Sequence, residues 1–192
     1  NELRQTAQAL GLEFGWHYLL DLSWAIQNLG KIQNRKIMDA GAEVGILQWY
    51  LAQSGAEVYS VDRMSRANLP LRFRKRFNAS GLRPEDLNSA TAALVEHLRR
   101  PLAGSIYLRW PRRMLAILRD LFSQAPTQDM PGRVLIYNQD LSKLVDLPDN
   151  SIDAAVAISS LEHNTKEGLE QVVTEIMRVL KPGGVLIATL TA

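Results

Sequence analysis

The sequence predicts an α/β fold with a doubly wound, mostly parallel sheet, and three observations carry the prediction. Residues 36–62 read as strand, glycine turn, amphipathic helix and strand, which together make one βαβ unit. Residues 133–139 and 151–160 are short apolar runs of the kind found in parallel sheets covered on both faces. A helical pattern then stops at Lys181-Pro182-Gly183-Gly184, and a further apolar run follows at 185–190.

In the βαβ unit, Ile37 and Met38 lead into Asp39-Ala40-Gly41-Ala42-Glu43-Val44-Gly45, and Ile46, Leu47, Trp49, Tyr50 and Leu51 give the helix its apolar side. Ser54-Gly55 closes that helix, and Val58, Tyr59 and Val61 form the second strand, which ends on Asp62. The turn falls at the carboxyl end of the first strand, where open α/β sheets bind ligands. Gly41 and Gly45 permit close backbone approach, Gly45 also lets the helix pack tightly on the sheet, and the helix aims its first amides at whatever occupies the turn. Asp62 stands where a carboxylate accepts ribose hydroxyls. A glycine motif alone is a weak signal, and a buried corner with no ligand is the plain alternative. Asp39 separates the nucleotide readings: a carboxylate beside Ala40-Gly41 repels a pyrophosphate and suits a cationic ligand.

Ahead of this unit, residues 1–30 form a helical segment, with Leu12, Trp16, Leu19, Leu20, Leu22 and Ile26 at helical spacing and Gly30 as its stop. Behind it, residues 63–132 make a connection far longer than an ordinary link between two strands. Two helical patterns, over 84–101 and from Pro111 to Phe122, mark it as a helical insertion within a single domain, suited to capping a site above the sheet. Arg63 to Arg113 holds twelve Lys/Arg against Glu85, Asp86 and Glu96, although the whole chain carries only +2. Arg72-Phe73-Arg74-Lys75-Arg76-Phe77 fits an RNA surface, with cations for phosphates and aromatics for stacking. A solvated basic face, or a site for an anionic small molecule, is the favoured reading. The local charge balance leads to the expectation that Arg72, Arg74, Lys75 and Arg76 help bind an anionic partner and do not hold the core.

The third strand, 133–139, runs into Asp140-Leu141, where Asp140 also suits capping the turn before Leu144. The fourth, 151–160, ends in Ser159-Ser160-Leu161-Glu162-His163-Asn164, and Asn164 with Glu167 makes a capping box for the next helix.

In their order and spacing these motifs resemble the class I S-adenosylmethionine-dependent methyltransferases, in the small-molecule branch. The resemblance covers roughly 36–62 and 133–192 and implies a Rossmann-like fold with S-adenosylmethionine as cofactor. It implies that Asp39 helps hold the methionine ammonium, Asp62 the ribose, Asp140 the adenine amino group, and the Leu141 N–H the ring. Ala40, Gly41, Ala42, Gly45, Arg63 and Ser159 complete the expected cofactor surface. A leading helix in such enzymes packs beside the cofactor, which puts Trp16, His17 and Tyr18 within reach of cofactor or substrate; a core role is the commoner one for such aromatics. Glu43 departs from the family, where a third glycine is common. A left-handed backbone there costs on the order of 1 kcal/mol, so either the turn differs or Glu43 faces solvent. The family fold adds a helix and two strands that this sequence does not contain. The hydrophobic fifth strand is therefore expected to be covered by a C-terminal portion outside these residues or by a second copy of the chain.

With no cysteine, the chain cannot use thiolate metal sites, disulfides or a cysteine nucleophile. There is no signal pattern and no spanning apolar run, and no His or acidic pair has metal-ligand spacing, so a cytoplasmic protein is expected. Methyl transfer from a sulfonium needs chiefly positioning, with a base only where the acceptor must lose a proton. His163 at the carboxyl edge of strand four is the candidate base, ahead of His17 and His97; its alternative role is to orient the helix. The leading function is methyl transfer to a small-molecule, anionic or neutral, acceptor. A catalytically silent binding subunit and an RNA methyltransferase are the alternatives, and an NAD(P) oxidoreductase is disfavoured by Asp39.

Overall fold

The computed structural model describes residues 3–4, 6–7, 16–43, 45–99, 111, 114–115, 118 and 130–190, without the side chains of 16, 17 and 97–99. The predicted helix from Pro111 to Phe122 falls largely outside the described residues, and the side chains of Trp16, His17 and His97 fall outside them entirely.

Six strands form one sheet in the order β3-β4-β2-β1-β5-β6, and every neighbouring pair is parallel. They are β1 (Lys36–Ala40), β2 (Glu57–Val61), β3 (Ala79–Gly81), β4 (Arg133–Tyr137), β5 (Ile152–Ile158) and β6 (Leu180–Thr189). The helices are α1 (Trp16–Leu29), α2 (Leu47–Gln53), α3 (Leu71–Arg76), α4 (Ala90–Arg99) and α5 (Lys166–Val179). Because side chains alternate along a strand, β1 sends Ile37 to one face and Met38 to the other. Ile37 joins Leu22 and Ala25 of α1, Leu51 of α2 and Phe73 of α3 in one core. Met38 joins Val172 and Ile176 of α5 and Leu144 and Leu147 of the loop after β4 in the second. The result is the doubly wound α/β arrangement of a Rossmann-like fold, with both faces of the parallel sheet covered.

Gly30 stops α1 in the left-handed conformation (φ 69°), as its sequence position predicts. The insertion differs from expectation in two ways. It is not purely helical: Ala79–Gly81 adds a strand beside β4 at the sheet edge. Its basic stretch is also not an aromatic stacking surface. Phe73 and Phe77 are buried against Trp49, with ring centroids at 5.1 and 4.9 Å. Burying such a ring contributes about 1.5–3 kcal/mol, and rings held in the core cannot stack on bases. Arg74 is likewise structural: its guanidinium donates to the carbonyls of Leu69 (2.7 Å), Ala67 (3.0 Å) and Asn88. Arg72 and Arg76 lie over the rings of Phe73 and Phe77, which leaves Lys75 as the exposed cation of the group.

α5 is capped one residue later than expected. Thr165 Oγ1 accepts the N–H of Gly168 at 3.2 Å, while the Asn164 amide donates to the Leu161 carbonyl. The helix then passes straight into β6, and Lys181-Pro182-Gly183-Gly184 lies inside that strand instead of preceding it. Pairing with β5 skips from Leu180 to Val185, so these four residues bulge from the ladder with Gly183 left-handed (φ 79°), and regular pairing resumes at Val185, where the sequence places the strand. β6 is an edge strand that pairs only with β5 among the described residues, and α1 lies against it on one face.

Candidate active site

A cavity of about 500 Å³ opens at the carboxyl ends of β1, β2, β4 and β5. Nine of the residues anticipated from the sequence line it: Gly41, Ala42, Gly45, Asp62, Arg63, Asp140, Leu141, Ser159 and His163. Tyr18, Glu43, Ile46, Met64, Ile158, Ser160 and Asn164 complete the lining. Asp39 and Ala40 do not line it. Both are buried beneath the turn, Asp39 with 4% exposure, so a direct contact between the Asp39 carboxylate and a ligand in the cavity is not what the geometry offers.

The glycine turn is tied down from all sides. Its described amides are consumed internally. Gly41 and Ala42 donate to the Val61 carbonyl (2.9 and 3.1 Å), Glu43 to Asp62 Oδ2 (2.8 Å), and Gly45 to the Ala42 carbonyl (2.8 Å). The buried Asp39 carboxylate lies close to the start of α2, where its charge opposes an anion on the turn. Gly41 (φ 83°) is required by a close approach of the protein to itself: a Cβ there would come within 2.3 Å of Ser160 Cβ. Beside Gly45 lies the Tyr18 hydroxyl, 3.1 Å from where a Cβ would sit. Glu43 is left-handed (φ 44°) and exposed, so the departure from glycine is accommodated as strain with the side chain in solvent. Ser159 is also left-handed (φ 48°), and its N–H reaches both the carbonyl and the hydroxyl of Thr189 at 3.2 Å.

Two carboxylates on the rim are held in place. Asp62 accepts the Glu43 N–H through Oδ2 and the Met64 N–H through Oδ1 (2.7 Å), tying the turn to the loop after β2. Asp140 Oδ1 accepts both the N–H and the hydroxyl of Ser142 (2.9 and 2.7 Å), and these bonds hold its carboxyl below the usual range. The turn-capping role therefore coexists with a place in the cavity wall. Burial, and then the charges of Asp39, Glu43 and Asp21, push the Tyr18 phenol upward, so it keeps its proton as a donor.

Under the turn lies a polar layer that sequence reasoning missed. Gln48, fully buried, directs Nε2 at the carbonyls of Ala42, Glu43 and Gly45 (3.3, 3.3 and 3.1 Å) and accepts the Ser60 hydroxyl through Oε1 at 2.7 Å. Arg66, 4% exposed, donates to Ser60 Oγ, to the Ser60 carbonyl (2.7 Å) and to the Glu43 carbonyl (3.2 Å). Burial lowers the Arg66 pKa, opposed by the charges of Asp62, Asp39 and Asp86. Asp39 is pushed up to about 7 by burial, with Arg66 opposing and Asp62 adding to the rise. Asn138 joins this layer to the insertion: its Oδ1 accepts the Arg66 N–H, and its N–H and side-chain amide donate to Asp86. The available signals were a glutamine on an apolar helix and a serine inside the apolar strand β2.

The cavity lies over a glycine turn at the carboxyl edge of a parallel sheet, the place where open α/β folds bind their ligands. The chain belongs to the methyltransferase domain family, whose sequence model matches residues 85–188. Solved structures similar to it include a SAM-dependent methyltransferase from Methanosarcina mazei (19% identity, TM-score 0.48, covering 84% of this chain and 55% of that one). A Pyrococcus horikoshii protein is also similar (21%, TM-score 0.48, 90% and 53%). So is the Burkholderia thailandensis 1,6-didemethyltoxoflavin-N1-methyltransferase, solved with 1,6-didemethyltoxoflavin and S-adenosylhomocysteine (17%, TM-score 0.46, 87% and 48%). The chain spans about half the length of these structures. No curated protein matches it. Among the described residues no helix is long and apolar enough to cross a membrane, and no cluster of His or acidic side chains is arranged to hold a metal.

Proposed function

We propose that this chain carries the cofactor-binding part of an S-adenosylmethionine-dependent methyltransferase acting on a small molecule. The observation that carries the reading is the state of the glycine turn. A dinucleotide needs free amides at the turn for its pyrophosphate, and here the described turn amides are spent on Val61, Asp62 and Ala42, with Asp39 at the start of α2. A ligand that is a nucleoside with a cationic extension needs no such donors, and it gains from Asp62 and Asp140 on the cavity wall.

On this reading Asp62 accepts the ribose hydroxyls with the lone pairs left by its two backbone bonds, and Asp140 with the Leu141 N–H reads the adenine. Gly41, Ala42, Gly45, Arg63 and Ser159 shape the surface around the ligand, and Ala40 underlies it. Asp39 lies beneath the turn and makes no contact with the cationic extension; its carboxyl, pushed up to about 7, acts on that extension through charge only as pH rises past that value. When bound, the sulfonium supplies an activated methyl group, and the chain's own task is to orient an acceptor in line with it. His163, exposed at the mouth of the cavity, takes a proton from an acceptor that must lose one. Among the described lining residues Arg63 is the one permanent cation. Titration calorimetry with S-adenosylmethionine, S-adenosylhomocysteine and NAD tests the reading. The first two are expected to bind and NAD is not; NAD binding in their place would overturn it.

A further inference from the structure

We infer that Gln48 is a positioning residue that imposes the ligand-ready shape of the glycine turn, doing through buried hydrogen bonds what a third glycine would otherwise do through conformational freedom. The inference rests on the proposed function for its ligand, but its geometry stands without it. Glu43 holds a left-handed backbone that a non-glycine residue adopts only where its surroundings impose it. Its side chain supplies no such force, because it lies in solvent. Asp62 holds its N–H, and the rest of the hold comes from below. Gln48 Nε2 shares its two protons among the carbonyls of Ala42, Glu43 and Gly45, on both sides of the strained residue.

A glutamine amide can rotate, so the orientation of this one has to be fixed as well. Its oxygen accepts the Ser60 hydroxyl, and Ser60 Oγ in turn accepts from Arg66. With the hydroxyl proton committed to Gln48, the donor and acceptor ends of the amide cannot exchange places. Arg66 adds a bond of its own to the Glu43 carbonyl. A fully buried amide that lost these partners would leave carbonyls of the turn unsatisfied, which is the costly way to break a buried network.

Gln48→Met keeps the side-chain length and removes both polar ends. The test measures S-adenosylhomocysteine affinity by calorimetry and amide hydrogen exchange over residues 41–45, for the wild type, Gln48→Met, and Gln48→Met combined with Glu43→Gly. The single variant is expected to bind about tenfold more weakly, the loss of roughly one buried hydrogen bond, and to exchange faster in the turn. The added glycine is expected to restore most of the affinity, because it removes the strain that Gln48 was holding. Affinity within twofold of wild type in Gln48→Met overturns the inference, as does a loss that Glu43→Gly fails to rescue, since Gln48 would then be acting through the core. If the wild type binds no S-adenosylhomocysteine, the functional reading fails, and the exchange measurement still decides the inference: unchanged protection at 41–45 overturns it.

Discussion

Asp62→Asn changes one oxygen of a carboxylate for an NH₂ group at a place where both oxygens already accept backbone bonds. Oδ2 takes the Glu43 N–H at 2.8 Å and Oδ1 the Met64 N–H at 2.7 Å, and the residue is only 8% exposed. The amide can keep one of these bonds, but it turns a donor toward the other N–H. A hydrogen bond to a charged group contributes about 1.5–3 kcal/mol, so the folded chain should lose that much stability. If the same carboxylate receives ribose hydroxyls, ligand binding should weaken by a further amount of about 2 kcal/mol, near thirtyfold in Kd. Chemical denaturation measures the first effect, and calorimetry with S-adenosylmethionine below the unfolding transition measures the second. A variant with unchanged stability would refute the role of Asp62 as the tie between the turn and the loop after β2. A folded variant with unchanged Kd would refute the ribose assignment, and the two results are independent.

Three further outcomes are expected. The Asp39 carboxyl holds its proton up to about 7 in the folded chain against an ordinary value of 3.8, so the folded state is favoured at low pH and loses that advantage as pH rises through this window. Asp39→Asn, which cannot titrate, should gain on the wild type by up to about 1.4 kcal/mol per pH unit between those limits; a stability difference independent of pH refutes it. Arg74→Gln should cost about 1–3 kcal/mol in denaturant titration through its lost carbonyl partners, while Lys75→Gln should cost almost nothing; equal effects would return Arg74 to the solvated face. His163→Ala should lower kcat about 100-fold for an acceptor that must lose a proton and leave cofactor Kd unchanged, and an unaltered kcat removes His163 as the base.

The parts of this molecule that could be read from its sequence are those in which a local pattern and its environment agree. β1, β2, β4 and β5 are apolar runs whose carboxyl ends lead into the cavity wall, and period and position sufficed to find them. The strand Ala79–Gly81 carries no such signal, because its conformation comes from pairing with β4 and not from its own side chains. Phe73 and Phe77 alternate with cations in sequence, and only the meeting of α3 with Trp49 decides that they point inward. Gln48, Ser60 and Arg66 are individually unremarkable. Their role exists only once three separate segments bring a donor to each acceptor, and no spacing rule describes that. Asp39 was legible as an acid at the turn but not as one buried under it, because burial depends on how α2 closes over β1.

The placement of β1 in the middle of the sheet bears on how this chain reaches its native state. One neighbour, β2, is close in sequence, but the other, β5, is brought to β1 across 117 residues, as the bond from the Lys36 N–H to Asp153 Oδ2 records. Closing so long a loop costs entropy before any contact across it is gained, and parallel pairings of this kind make folding slow. The cavity wall made by Ile158, Ser159, Ser160 and His163 can therefore form only after that closure, whereas the bonds of the turn at Gly41 to Val61 and Asp62 can form earlier. During synthesis the first half of the site emerges well ahead of the second. A ligand that needs both halves then recognises only chains that have completed the central crossing, and its stabilising effect falls on the finished sheet and not on its precursors.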